Sequence, residues 1–363
     1  MNLTIKADTF KEMVARSTKG ASCNKIMPIT GMMAIQLSKN VLTLITSDAS
    51  NYLYIRKDKV EGEDFYVTVP VEKFSKLIAR MTCEIITLEL KENVLEVSGN
   101  GKYLIELPDE EGELIKYPDP LAEVSDPSNV GEIKATMIQH ILNAAKPSLA
   151  KTMEVPCYTG YYVGDKVVST DTCKMCIIKE KVFDNAYLIG PEMMDLLAVM
   201  TAEKISVDGK DNILIFSSPD CVIYGPIMDG IEDFNIEAIE GFINSFSTGS
   251  VCKVPKAVLL QLLDRLSLFV NDFDEGAIYL TFTKEGLMVR SKSESSTEII
   301  PYSASENFKD FACTLDITDL VACIKAQASD AIEIQYGTDD NLKIVDGNTV
   351  QAICFIDEED VGE

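Results

Sequence analysis

The chain has 363 residues, with 33 Lys and Arg against 58 Asp and Glu, a net charge of −25 and 46% hydrophobic residues. That is a globular composition, which excludes collagen-like, mucin-like and wholly disordered proteins. The length suggests two or three domains, no apolar run reaches the roughly 18 residues of a membrane span, and a pI near 4.4 argues against a generally basic nucleic-acid binder.

In chain order, the spacing first predicts a helix over Asp8–Lys19, with Phe10, Met13, Val14 and Ser17 on one face. Met32–Leu37 and Val41–Thr46 read as a hairpin around Ser38–Asn40. Pro70–Thr82 is a second helix, entered at proline, with Phe74, Leu77, Ile78 and Met81 inward and Lys73, Lys76 and Arg80 opposite. Ile85–Leu90, Val94–Val97 and Lys102–Leu107 follow as antiparallel strands. A third helix spans Lys134–Lys151 and is interrupted at Pro147. A fourth spans Gly190–Lys204, a fifth Lys253–Phe269, and a sixth Leu315–Ser329 with Asp316 as its cap. Strand–turn–strand patterns recur at Leu214–Tyr224 and Leu342–Phe355. Hinges are expected at Tyr117–Pro127 and Gly241–Gly249.

The odd-numbered helices begin near 8, 134 and 254, and the even-numbered ones near 70, 190 and 316. The step is about 120 residues, so six similar units fill the chain as three domains, 1–125, 126–246 and 247–363. The six helix windows hold 14 Lys and Arg against 9 Asp and Glu, so the acid lies in strands, loops and tail. The plain reading is that helix surfaces prefer Lys and Arg, but Glu favours helices as much as Lys does; the other cause is a shared face approaching phosphates. Six helices set side by side around a hole leave roughly 9 Å clear, and twelve leave roughly 28 Å. A duplex roughly 20 Å wide passes only the second, so a DNA tunnel requires two copies.

Particular stretches carry a family resemblance. They are MNLTIKADTF, the Pro28-Ile29 step, the Thr46-Ser47-Asp48 strand end, VPVEKFSKLI entered at Val69-Pro70, Val168-Ser169-Thr170-Asp171, and Met228-Asp229-Gly230. In order and spacing the chain resembles the bacterial β sliding clamps, the beta subunits of DNA polymerase III, along essentially its whole length. The resemblance implies an α+β clamp fold of three similar domains, with antiparallel sheets outside and helices inside a ring. It implies a non-catalytic processivity factor, a homodimer encircling duplex DNA without sequence preference. Its partners would be the replicative polymerase and an ATP-driven clamp loader, with no cofactor, metal or membrane.

By position, the resemblance puts Asn24, Lys25, Lys151 and Thr152 on loops near DNA. Lys73, Lys76, Arg80, Lys134, Lys146, Lys253 and Arg265, with Lys11, Arg16 and Lys256, are the helix cations expected to face it. A cleft for a short hydrophobic partner peptide would use Tyr158, Thr170, Thr172, Cys173, Lys174, Met175, Ile353, Phe355 and Ile356. The dimer seam would set Tyr103 and Ile105 against Leu268 and Phe269. Departures fall on the cleft: Thr172, Cys173 and Lys174 stand where the family has Gly, His and Arg. Ile231–Phe234 replaces Phe-Pro-Asp-Tyr, and the C-terminus is the acidic Asp357–Glu363.

Other motifs point away from catalysis. Cys173 and Cys176 form a CxxC without a second pair at zinc spacing, and residues three apart in a strand face opposite sides. His140, the single histidine, has no nucleophile pattern and reads as a polar helix residue. Asp48 and Asp171 recur at matching positions and read as turn stabilisers. No phosphate-cradling GxxxxGK[ST] is present, and Arg265–Phe269 (RLSLF), though like a clamp-binding peptide, reads as core and seam. The beginning of the sequence lacks a secretory pattern, so a cytoplasmic protein with reduced cysteines is expected. Two alternatives remain: a clamp-fold protein-binding module that does not enclose DNA, and a metal-dependent nuclease built on the acidic clusters.

Overall fold

The computed structural model describes residues 2–22, 24–110, 113–244, 250–270, 276–292, 296–306, 308–336 and 341–356. Seven α-helices lie among them: α1 Ala7–Ser17, α2 Val71–Ala79, α3 Ala135–Ala145, α4 Pro191–Leu197, α5 Ile236–Asn244, α6 Lys256–Leu266 and α7 Ile317–Ala326. Every strand pair is antiparallel among these residues, which makes the chain α+β. It divides into two compact units, residues 1–138 with 192–227, and 139–191 with 228–363.

The first unit holds a four-stranded sheet in the order Asn2–Lys6, Ile85–Lys91, Val94–Ser98, Lys102–Glu106. Its eight-stranded sheet runs Ser128–Ile133, Ile205–Lys210, Ile213–Ser217, Cys221–Pro226, Tyr52–Asp58, Val41–Ser47, Met32–Ser38, Phe65–Pro70. The hairpin expected around Ser38–Asn40 is present. Its two loop residues, Lys39 and Asn40, have φ of 50° and 62°, the left-handed pair that matches strand twist. The helices α1 and α2 pack together through Phe10 and Phe74, whose rings meet edge to face at 6.0 Å.

The second unit holds a nine-stranded sheet in the order Tyr187–Ile189, Tyr161–Val163, Val167–Thr170, Lys174–Ile178, Thr349–Cys354, Asn341–Asp346, Ala331–Tyr336, Ser250–Pro255, Ser303–Ala304. A four-stranded sheet runs Thr297–Ile300, Gly286–Ser291, Ala277–Thr283, Phe311–Asp316. Leu259, Leu262, Leu263 and Leu266 of α6 share one core with Leu320, Cys323 and Ile324 of α7. Asp316 caps α7 by accepting the Asp319 N–H at 2.9 Å, as its position predicts.

Helix ends move where local chemistry requires it. The expected fifth helix begins at Lys256, because Pro255 still closes a strand and serves as the cap. Lys253 therefore sits on a strand. The third helix stops at Ala145, and Lys146–Ser148 tightens into a 3-10 turn at Pro147. The seventh helix, α5, replaces part of the hinge expected at 241–249. Its Ile239 and Ile243 bury against Cys157, Met175, Val350 and Ala352, an apolar spacing of four that Gly241 and its turn-forming neighbours obscured. Residues 245–249 of that hinge and the acidic tail 357–363 fall outside the described residues.

Candidate functional site

The cations divide into committed and uncommitted groups. Arg16 is committed: its guanidinium Nη1 donates to Asp220 Oδ2 at 2.6 Å and Nη2 to the Val199 carbonyl at 3.4 Å. Burial raises Asp220, but the Arg16 hydrogen bond and charge outweigh it and hold the carboxyl below its usual range. Arg265 grips Glu298 with two bonds of 2.8 and 2.5 Å. Lys76 pairs with Glu72 at 2.5 Å one turn away, and Lys253 lies 3.7 Å from Glu333. Lys11 lies 3.9 Å from Asp8, and Lys256 donates to the Gln327 carbonyl. By contrast Lys25, Lys73, Arg80, Lys134 and Lys151 are exposed, with no ion pair found for them among the described residues. Asn24, Lys146 and Thr152 are exposed too. Asn24 folds its own loop, its Oδ1 accepting the Ile26 N–H at 2.9 Å.

His140 is half-buried and shares a 3.0 Å hydrogen bond with Thr349 Oγ1, so it ties α3 to a strand. An open cavity of about 840 Å³ lies between α1 and α4, lined by Ala15, Arg16, Lys19, Glu192, Leu196 and Val199 among others. Neither the Arg16–Asp220 pair nor this cavity had a local sequence signal, since both join segments about 200 residues apart.

Two turns repeat atom for atom. Asp48 Oδ1 accepts the N–H groups of Ser50 and Asn51 at 2.9 and 2.7 Å. Asp171 Oδ1 accepts those of Cys173 and Lys174 at 3.0 and 2.6 Å. The residues after them, Ala49 and Thr172, are both left-handed, with φ of 92° and 76°. Two residues before each aspartate, Thr46 Oγ1 donates to the Ser17 carbonyl and Ser169 Oγ to the Ala145 carbonyl, each at 2.7 Å. The aspartates are turn stabilisers, as their recurrence suggests.

The proposed cleft residues gather on the strand pair Lys174–Ile178 and Thr349–Cys354, but strand parity divides them between two faces. Met175 lies opposite Ala352, and both pack with Tyr158, whose ring meets Phe234 edge to face at 5.1 Å. Ile353 and Phe355 pack instead into the core of α6 and α7, Phe355 stacking on Tyr336 at 6.1 Å. The Ile356 N–H donates to the Thr314 carbonyl at 3.0 Å. Thr170 is buried, its hydroxyl donating to the Lys174 carbonyl at 2.9 Å, while Thr172 and Cys173 are exposed.

Lys174 is 5% exposed and bridges Asp171 Oδ2 and Asp319 Oδ1, each at 2.7 Å. Burial alone would lower its pKa; the hydrogen bonds to both aspartates prevail and raise it. Lys174 is therefore an internal tie and presents no open charge to a guest.

On edge strands, Leu104 is 62% exposed and Tyr103 and Ile299 are exposed too; in the 3-10 turn Ser267–Phe269 after α6, Leu268 is 81% exposed and Phe269 is also exposed. Ile105 is 1% exposed. Its side chain is covered by its own core, so the apolar side chains this strand exposes are Tyr103 and Leu104, not the expected Ile105.

No group of three or more His, Cys, Asp or Glu could hold a metal ion among the described residues, and no helix among them is long and apolar enough to cross a membrane.

Neither a family model nor a curated protein sequence matches the chain. Solved structures match it in fold. The beta subunit of DNA polymerase from Streptococcus pyogenes superposes with a TM-score of 0.84 at 15% identity, covering 98% of this chain and 100% of that one. The DNA polymerase sliding clamp of Bacillus subtilis gives 0.83 at 16% identity, over 98% and 99%. DNA polymerase III subunit beta of Borrelia burgdorferi, solved with a natural product, gives 0.81 at 16%, over 99% and 100%. Over nearly its whole length, then, this chain has the DNA clamp fold of the bacterial polymerase III beta subunits.

Proposed function

We propose that the protein is a DNA sliding clamp: two copies join head to tail into a ring that encloses duplex DNA and tethers a replicative polymerase. The observation that carries this reading is the full-length likeness in fold, 98% of this chain against 100% of a polymerase beta subunit. Each chain contributes three domains, 1–125, 126–246 and 247–363, and six helices to the ring's inner wall. Lys25, Lys73, Arg80, Lys134 and Lys151 would meet phosphates, joined by Asn24, Lys146 and Thr152. Such contacts give weak, sequence-independent, salt-sensitive binding, and the acidic remainder of the chain repels duplex from the outside. The seam pairs the edge carrying Tyr103 and Leu104 with the surface carrying Leu268, Phe269 and Ile299. Partners dock a hydrophobic peptide beside Tyr158, Cys173 and Met175, and loading draws its ATP energy from a separate protein. The protein itself catalyses nothing and acts in the cytoplasm.

Topological tethering has a distinctive test. Loaded onto nicked circular duplex, the protein should dissociate slowly, and cutting the circle should release it quickly. Equal release from circle and linear DNA would overturn enclosure. The committed cations Arg16, Lys76, Lys253 and Arg265 favour a second reading, a clamp-fold protein-binding module that encloses no DNA. A mass of one chain by sedimentation at micromolar concentration would select it.

A further inference from the structure

The strands Lys174–Ile178 and Thr349–Cys354 pair with Lys174 opposite Ile353. One step further the same register sets Cys173 opposite Cys354, and the Cys354 N–H donates to the Cys173 carbonyl at 2.8 Å. Residues directly opposite on antiparallel strands share a face, and in a hydrogen-bonded pair their Cα atoms are about 5.5 Å apart, inside the disulfide range; their Cβ atoms, about 4.5–5.5 Å apart, close slightly to form the bond. Cys173 is exposed and Cys354 half-buried, whereas Cys157, Cys176, Cys221, Cys252, Cys313 and Cys323 are buried. Cys354 Sγ lies 3.9 Å from the Thr172 carbonyl, on the turn that carries Cys173. Burial pushes the Cys354 thiol up, and the charges of Cys173 and Asp171 push it the same way. The CxxC of the sequence is a different matter: Cys176 faces the opposite side and is buried, so the partner of Cys173 comes from the far end of the chain.

We propose that Cys173 and Cys354 form a thiol–disulfide exchange site that reacts with low-molecular-weight disulfides of the glutathione class. The exposed Cys173, as thiolate, attacks one sulfur of the small disulfide; a mixed disulfide forms and one small thiolate leaves. Cys354 then gives up its proton, attacks the Cys173 sulfur and displaces the second small thiol. Two protein thiols are oxidised to one disulfide, one small disulfide is reduced to two thiols, and the cysteine protons end on the released thiols. The bond fastens the 171–174 turn to the strand end that leads into Phe355 and Ile356. It therefore sits on the face where a partner peptide was placed above, and a bearing on docking rests on that reading. The exchange itself does not, so a failed DNA-enclosure test leaves it standing.

The test is peptide mapping of the full-length reduced protein after incubation with oxidised glutathione at pH 8, unfolded and alkylated before digestion. The expected product is one cross-linked species joining the Cys173 and Cys354 peptides, two hydrogens lighter than their sum. Cys173→Ser should abolish it, and Cys354→Ser should leave Cys173 as a stable mixed disulfide with glutathione. Thermal unfolding of both variants close to wild type shows that the fold is retained. The proposal is overturned if both cysteines remain free thiols, if each carries its own glutathione, or if either is joined to a different cysteine.

Discussion

Lys174 and Asp319 lie 145 residues apart in sequence and 2.7 Å apart in space, and they bind the strand Lys174–Ile178 to the first turn of α7. The pair is set by burial on one side and by the capped α7 terminus on the other. Removing one partner leaves a half-buried charge without its counterion, which costs about 3 kcal/mol in comparable sites. Lys174→Ala should therefore lower stability by about that amount in urea unfolding. Because Lys174 is held above its ordinary pKa, its contribution is whole below about pH 10 and fades as pH rises through the folded value. The stability difference between wild type and variant should narrow in strongly alkaline buffer.

The Arg16–Asp220 bond behaves with the opposite sign. The carboxyl is held down, so its contribution is present above about pH 4, the unfolded value, and is lost as pH falls through the folded one. Asp220→Asn should cost about 1–2 kcal/mol at pH 7. The variant and the wild type should converge near pH 2 in circular-dichroism melts.

The twin turns offer a matched comparison. Asp48→Ala and Asp171→Ala each remove the acceptor of two backbone N–H groups, at about 1–2 kcal/mol. Asp171→Ala should be the more costly, because Asp171 also holds Lys174. Thr172 carries a β-branched side chain at φ of 76°, a strained state for such a residue. Thr172→Gly should raise the stability by about 1 kcal/mol, and an unchanged melting temperature would refute that strain.

For the ring, Leu104→Asp and Leu268→Asp should each shift the protein toward a single-chain mass in sedimentation, without lowering the melting temperature of the monomer. Both side chains are already in water within one chain, so only an assembly would feel the new charge.

For DNA, Lys73→Glu with Arg80→Glu should shorten residence on nicked circles by tenfold or more and flatten its salt dependence. Lys76→Glu should do less, because Glu72 already engages Lys76.

Much of the fold was legible because its signals are local and repeat. Pro70 and Pro255 cap their helices, Asp316 caps α7, and Lys39–Asn40 closes its hairpin where the pattern placed it. The turn aspartates were readable because a side chain that serves its own next three residues leaves a local signature. The destination of each charge was not readable. Arg16 on its helix looks like any solvated cation, and only the fold reveals Asp220 beside it. Lys174 looked like a substitute for a family arginine at an open cleft, yet Asp319 draws it inside. Ile105 shares its strand face with Tyr103, and only the fold shows that its own core covers it; α5 was hidden by a glycine.

The buried cysteines set the conditions under which this protein survives heating. Desolvation pushes Cys221, Cys252, Cys313 and Cys323 each up to about 12, so in the native state they stay protonated and chemically silent. Melting returns every one of them to an ordinary thiol near pH 8.5. A chain unfolded in air should therefore cross-link through these sulfurs, and without a reductant its melting temperature should depend on heating rate.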